Sequence, residues 1–166
     1  MIVVSDTSAL SGLAIVGKLS LLQALYGQIV IPEAVACGPR RGGQDEPKIS
    51  QLLTLSWLEI QPSTNYRLID ELQAVHKLDK GESEAIALAL GLDADALLID
   101  ERLGRCEASR LGLSITGMLG ILLAAKKQGL VGVVRPTVDA LIRKAGFRIS
   151  SQLYREVMVA SGEETE

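Results

Sequence analysis

The stretch "MIVVSDTSAL" (Met1–Leu10) sets a branched apolar run, a carboxylate and the start of a helix side by side. Ile2–Ser5 reads as a first strand buried on both faces, and "SALSGLAIV" after it reads as a helix. A buried strand that runs straight into a helix is the opening unit of an α/β domain with a parallel sheet. Asp6 stands at the junction. It either caps the helix that begins near Ala9, a task Thr7 or Ser8 would also perform, or acts as a metal ligand. The choice turns on whether other carboxylates converge on it.

Working outward, the same alternation repeats. Further strand-like runs lie at Gln28–Pro32, Trp57–Gln61, Ala96–Asp100 and Leu113–Thr116. Helical periodicity fills Leu19–Leu25, Lys48–Leu53, Tyr66–His76, Glu82–Leu90, Arg102–Arg110 and Met118–Lys127. The pattern predicts a three-layer α/β/α domain with a mainly parallel central sheet over about 1–128. From about 129 to 161 the chain reads as a helical C-terminal extension of that domain. Pro136 is placed near one helix start, Gly146 at its stop, and Ser150 or Ser151 at the cap of the last helix. Residues 162–166 read as a frayed acidic tail, and "CGPRRGGQDEP" (Cys37–Pro47) as the most loop-like stretch.

Bulk properties narrow the function classes. A chain of 166 residues can bury a sizeable core without metal or disulfide staples. Aromatic residues are only 3% of it, which argues against modules that stack bases on rows of Phe or Tyr. The net charge of −3 means that any nucleic-acid contact comes from a local basic patch. Cys37 and Cys106 match no zinc or redox spacing and read as reduced thiols. No apolar run is long enough for a bilayer, and Asp6 interrupts the N-terminal run too early for a signal peptide. The expectation is a soluble, cytoplasmic protein with no membrane partner.

In an open α/β sheet, ligands collect beyond the carboxyl ends of the strands. Asp6 and Asp100 both end strands there, and Glu101 follows Asp100. In "LDKGESEAIALAL", Asp79 and Glu82 have the spacing of a capping box, which occupies Glu82 at the helix terminus. Glu84 lies about 200° further round at ~100° per residue, so it points elsewhere and is either a solvated acid or a ligand. Together Asp6, Glu84, Asp100 and Glu101 form the oxygen-rich set that Mg²⁺ or Mn²⁺ prefers. Such a site can activate a water for phosphodiester cleavage. Arg102 and Arg105 share a helix face beside the acids and are either solvated or hold a phosphate strand.

These residues resemble the PIN domain family of small metal-dependent nucleases, which includes VapC-like ribonuclease toxins of toxin–antitoxin pairs. The resemblance rests on "VVSDTSAL", "IVIPEAV", "GESEAIALAL" and "LLIDERLGRCEASRLGL". "AGFRISSQLYREVM" is similar to the tail of one prokaryotic PIN-like branch. The resemblance implies an acidic pocket for Mg²⁺ or Mn²⁺ and cleavage of single-stranded RNA, with Asp6, Glu84 and Asp100 catalytic. It puts Glu101 beside Asp100 or in its role, makes Ser8 the small hydroxyl after the first acid, and allows an antitoxin partner. Similar proteins carry a further acid near positions 37 and 38, where this chain reads Cys37 and Gly38. That departure opens the alternative of a catalytically weakened RNA-binding or antitoxin-binding domain. A phosphate-transferring enzyme with Asp6 as nucleophile would need a second Asp where Ser8 stands. The apolar C-terminal helices offer a homodimer surface, and His76 reads as a surface or capping residue.

Overall fold

The computed structural model describes residues 1–33 and 55–164, with the side chains of Thr7 and Ser8 left aside. The loop at Cys37–Pro47, the helix expected at Lys48–Leu53 and the position of the absent acid lie outside the described residues.

Five strands form one sheet: β1 (Val3–Ser5), β2 (Ile29–Pro32), β3 (Leu58–Gln61), β4 (Ala96–Leu98) and β5 (Ile115–Thr116). Every pairing is parallel and the spatial order is β3-β2-β1-β4-β5. Eight helices stand among the described residues. They are α1 (Thr7–Ile15), α2 (Ser20–Tyr26), α3 (Tyr66–Ala74), α4 (Lys80–Gly91), α5 (Arg102–Arg110), α6 (Met118–Lys127), α7 (Arg135–Lys144) and α8 (Ser151–Ala160). None is long and apolar enough to cross a membrane.

Side chains alternate across a strand, so the sheet has two faces to bury. Val3, Ile29, Ile31 and Leu98 face a cluster with Leu10 and Leu13 of α1, Leu22 of α2 and Ile121 and Leu122 of α6. Val138 and Leu141 of α7 and Val157 and Met158 of α8 join the same cluster. Val4, Val30, Leu97 and Ile99 face the other way, onto Leu72 of α3, Ile86 and Ala89 of α4 and Ala108 of α5. This is the three-layer α/β/α arrangement the alternation predicted. Trp57 is partly buried against the first cluster. Burying aliphatic side chains on both faces, at about 1.5–3 kcal/mol each, is what holds the short strands in place.

Local signals set the helix ends. Asn65 Oδ1 accepts from the Leu68 N–H at 3.2 Å, and Ser150 Oγ from the Leu153 N–H at 3.1 Å. Pro136 lies in the first turn of α7, and Gly146 follows that helix at φ +68°, a left-handed conformation that suits glycine. The tail departs from expectation. Glu163 is not frayed: its carboxylate accepts from the N–H of Val134 at 2.7 Å and of Arg135 at 3.1 Å, and pairs with Lys126 Nζ at 3.1 Å. An acid supplied from beyond α8 therefore closes the exposed N–H groups at the start of α7. Residues 165–166 lie outside the described residues.

Candidate metal centre

The strand order fixes where a ligand would bind. The chain runs outward from β1 through β2 to β3, then returns to β4 on the other side of β1. β1 and β4 are thus the pair at which the order reverses, and the crevice beyond their carboxyl ends is the expected ligand position. Asp6 follows β1 directly, and its N–H donates to the Leu98 carbonyl at the end of β4 at 3.1 Å. Asp100 lies two residues further along that strand's course. The topology therefore joins the main chains that carry the two strand-ending acids.

Asp6 is 2% exposed. Its Oδ1 accepts from the Ala9 N–H at 3.4 Å, so the capping role exists as a long bond. Both oxygens of Asp100 accept from the Met118 N–H, at 3.0 and 3.2 Å, tying the end of β4 to the first turn of α6. Burial raises the Asp100 pKa above the ordinary carboxylate range and the Glu101 charge adds to this, against the Met118 N–H and the Arg105 guanidinium. Glu101 is exposed, and its side chain makes no capping bond to α5.

The N-terminal end of α4 meets the same rim. Ser63, just past β3, donates its hydroxyl to the Glu84 carbonyl at 2.7 Å. Glu84 is buried in the second turn of the helix, so the solvated alternative does not hold. Glu82 has the expected capping box: Asp79 Oδ1 accepts from its N–H at 2.7 Å, and Glu82 Oε2 accepts from the Asp79 N–H at 3.2 Å. It is also buried, and its carboxyl carbon lies 3.6 Å from where a Cβ on Gly104 of α5 would stand. Burial first, then the charges of Asp79 and Glu101, raise its pKa to about 7, with the Asp79 N–H opposing. Glu82 is a buried acid that sequence reasoning assigned to the helix cap alone. Its capping box was legible and correct, but a cap is usually exposed, and nothing local revealed that α5 covers this one.

Arg105 is half-buried and turned towards Asp100, whereas Arg102 is exposed. Of Ser8 only the backbone, within α1, is described. His76 Nδ1 lies 3.1 Å from Glu107 Oε1 of α5. Cys106 is an exposed free thiol, and Cys37 lies outside the described residues.

Among the described residues, no three Asp, Glu, His or Cys side chains are gathered to hold a metal ion together. In kind, the donors fit a hard divalent cation: all are carboxylate oxygens, and Asp100 and Glu82 are both disfavoured in their charged forms by burial and by acidic neighbours. A cation would relieve that penalty. A family model described as a PIN domain matches residues 2–163. No curated protein and no solved structure matches the chain.

Proposed function

The chain belongs to the PIN domain family, a nuclease-type fold, and from that premise we propose that it is a divalent-metal-dependent endoribonuclease that hydrolyses phosphodiesters in single-stranded RNA. The observation that carries this reading is the adjacency of β1 and β4, which sets Asp6 and Asp100 at the reversal point of the sheet. Asp6, Glu84 and Asp100 would hold Mg²⁺ or Mn²⁺, with Glu101 beside Asp100 and Glu82 as the added acid. When bound, the cation would supply a nucleophilic water and neutralise charge on the leaving oxygen.

The protein's own groups do the rest. The Met118 N–H restrains the rotamer of Asp100. Asp6 is held by its place between β1 and α1 and by the long bond from Ala9. Arg105 and Arg102 supply positive charge along α5 for a phosphate strand that the carboxylates would repel. The same reading makes the protein a cytoplasmic toxin with an antitoxin partner, and a homodimer through α7 and α8, where Ile142 and Leu153 leave apolar surface.

Mn²⁺ titration by calorimetry on wild type and Asp6→Ala tests the site, and cleavage of single-stranded RNA with and without Mn²⁺ tests the reaction. Equal metal binding by the two proteins would count against the centre. One observation favours a second reading, a catalytically weakened RNA-binding or antitoxin-binding domain: both Asp100 oxygens already accept from Met118. RNA binding without turnover would select it.

A further inference from the structure

Gly117 joins β5 to α6, and a side chain there would require two neighbouring side-chain ends to move. A Cβ on it would stand 2.5 Å from Asp100 Oδ1 and 2.6 Å from Arg105 Nη1. The acid at the end of β4 and the guanidinium from α5 therefore meet over the same bare backbone. No ion pair between them is closed within 4 Å among the described residues, and the Asp100 oxygens are held instead by the Met118 N–H. Arg105 is thus near enough to Asp100 to act on its charge without being locked to it by a bidentate bond.

We propose that Arg105 is a resident counter-cation of the acidic crevice, which balances Asp100 when no divalent ion is bound and turns to a substrate phosphate when one is. The inference rests on the metal reading given above and deepens it. Gly117 is the positioning residue, because a Cβ there would have to displace the guanidinium or the carboxylate from their shared position. Two consequences follow. Metal and Arg105 compete for the same negative charge, so Arg105 weakens metal binding to the free protein. Metal binding then frees the guanidinium, so metal and a nucleic-acid strand bind with positive coupling.

The test uses calorimetric Mn²⁺ titration and binding of a single-stranded oligodeoxynucleotide, a probe with no 2′-hydroxyl, on wild type, Arg105→Ala, Arg105→Lys and Asp6→Ala. Arg105→Ala should bind Mn²⁺ more tightly, by roughly threefold to thirtyfold for one nearby charge at intermediate dielectric. It should bind the oligonucleotide more weakly, and the gain in oligonucleotide affinity that Mn²⁺ gives wild type should vanish. Arg105→Lys should keep the wild-type metal affinity, because it keeps the charge. Equal or weaker Mn²⁺ binding by Arg105→Ala would overturn the inference, as would coupling that survives in it. If Asp6→Ala binds Mn²⁺ as wild type does, the metal reading itself fails. If Asp6→Ala loses the metal while Arg105→Ala matches wild type, only the counter-cation role falls.

Discussion

Two glutamates in this molecule, Glu82 buried and Glu163 partly buried, meet opposite fates. Glu163, folded back from beyond α8, accepts from two main-chain N–H groups and a lysine. Burial pushes its pKa up, but the Val134 and Arg135 N–H groups, Lys126 and Ser161 outweigh it and pull the value down to about 2. Glu82, at the crevice, accepts one N–H, faces Asp79 and Glu101, and rises to about 7. The side chain is the same, although Glu82 lies deeper than Glu163. The difference lies in what surrounds it: donors in one place, other acids in the other. A carboxylate in a purely structural post is saturated with partners. A buried acid whose nearest charges are other acids is a candidate to gain from a bound cation.

The sharpest attempt to break that contrast is Asp6→Ala. It should cut Mn²⁺ affinity and RNA cleavage by at least about a hundredfold, with circular dichroism checking that the variant keeps its fold. Calorimetry and a gel assay on one preparation measure both. Next in size, Glu163→Ala should destabilise the protein by about 1–2 kcal/mol, a figure reduced for solvent screening of the Lys126 pair, read from urea unfolding at neutral pH. Because its folded pKa lies below its unfolded value, the Glu163 contribution is fully present above about 4.5 and lost as pH falls towards about 2. Wild type and variant should therefore converge in acid.

The smallest effect has the opposite sign. Glu82→Gln keeps an oxygen to accept from Asp79 but removes a charge that folding disfavours. The folded pKa here is raised, so ionised Glu82 costs stability, and that cost grows as pH rises from about 4.5 to about 7. The variant should be more stable than wild type by about 1 kcal/mol at pH 8 and equal to it below pH about 4.5. Added Mn²⁺ should close the gap at pH 8 by stabilising wild type. A Glu82→Gln protein no more stable than wild type at pH 8 would erase the distinction between the two glutamates.

What the sequence revealed, and what it hid, follows the range of each interaction. Asp6 and Asp100 were legible as strand-ending acids because a β run and the residue after it are adjacent in the chain. The Asp79–Glu82 box and the Ser150 cap were legible for the same reason, being bonds across three residues. That β1 lies beside β4 could not be read, since pairing across ninety-odd positions depends on how helices cover the sheet. The covering of Glu82 depends on Gly104, and the docking of Glu163 on main-chain groups 28 and 29 residues away, where no pattern in the tail points. The layers were therefore clear from periodicity, and the electrostatics of the site were not.

Helix α6 is gripped at both ends. Asp100 holds the N–H of Met118 at its first residue, and Lys126 in its last turn holds Glu163, while Ile121 and Leu122 between them are fully buried. Such a helix has no end from which to fray. Its amide hydrogens should exchange only when the whole molecule opens, which would make the span from crevice to C-terminus the slowest-exchanging segment of the chain.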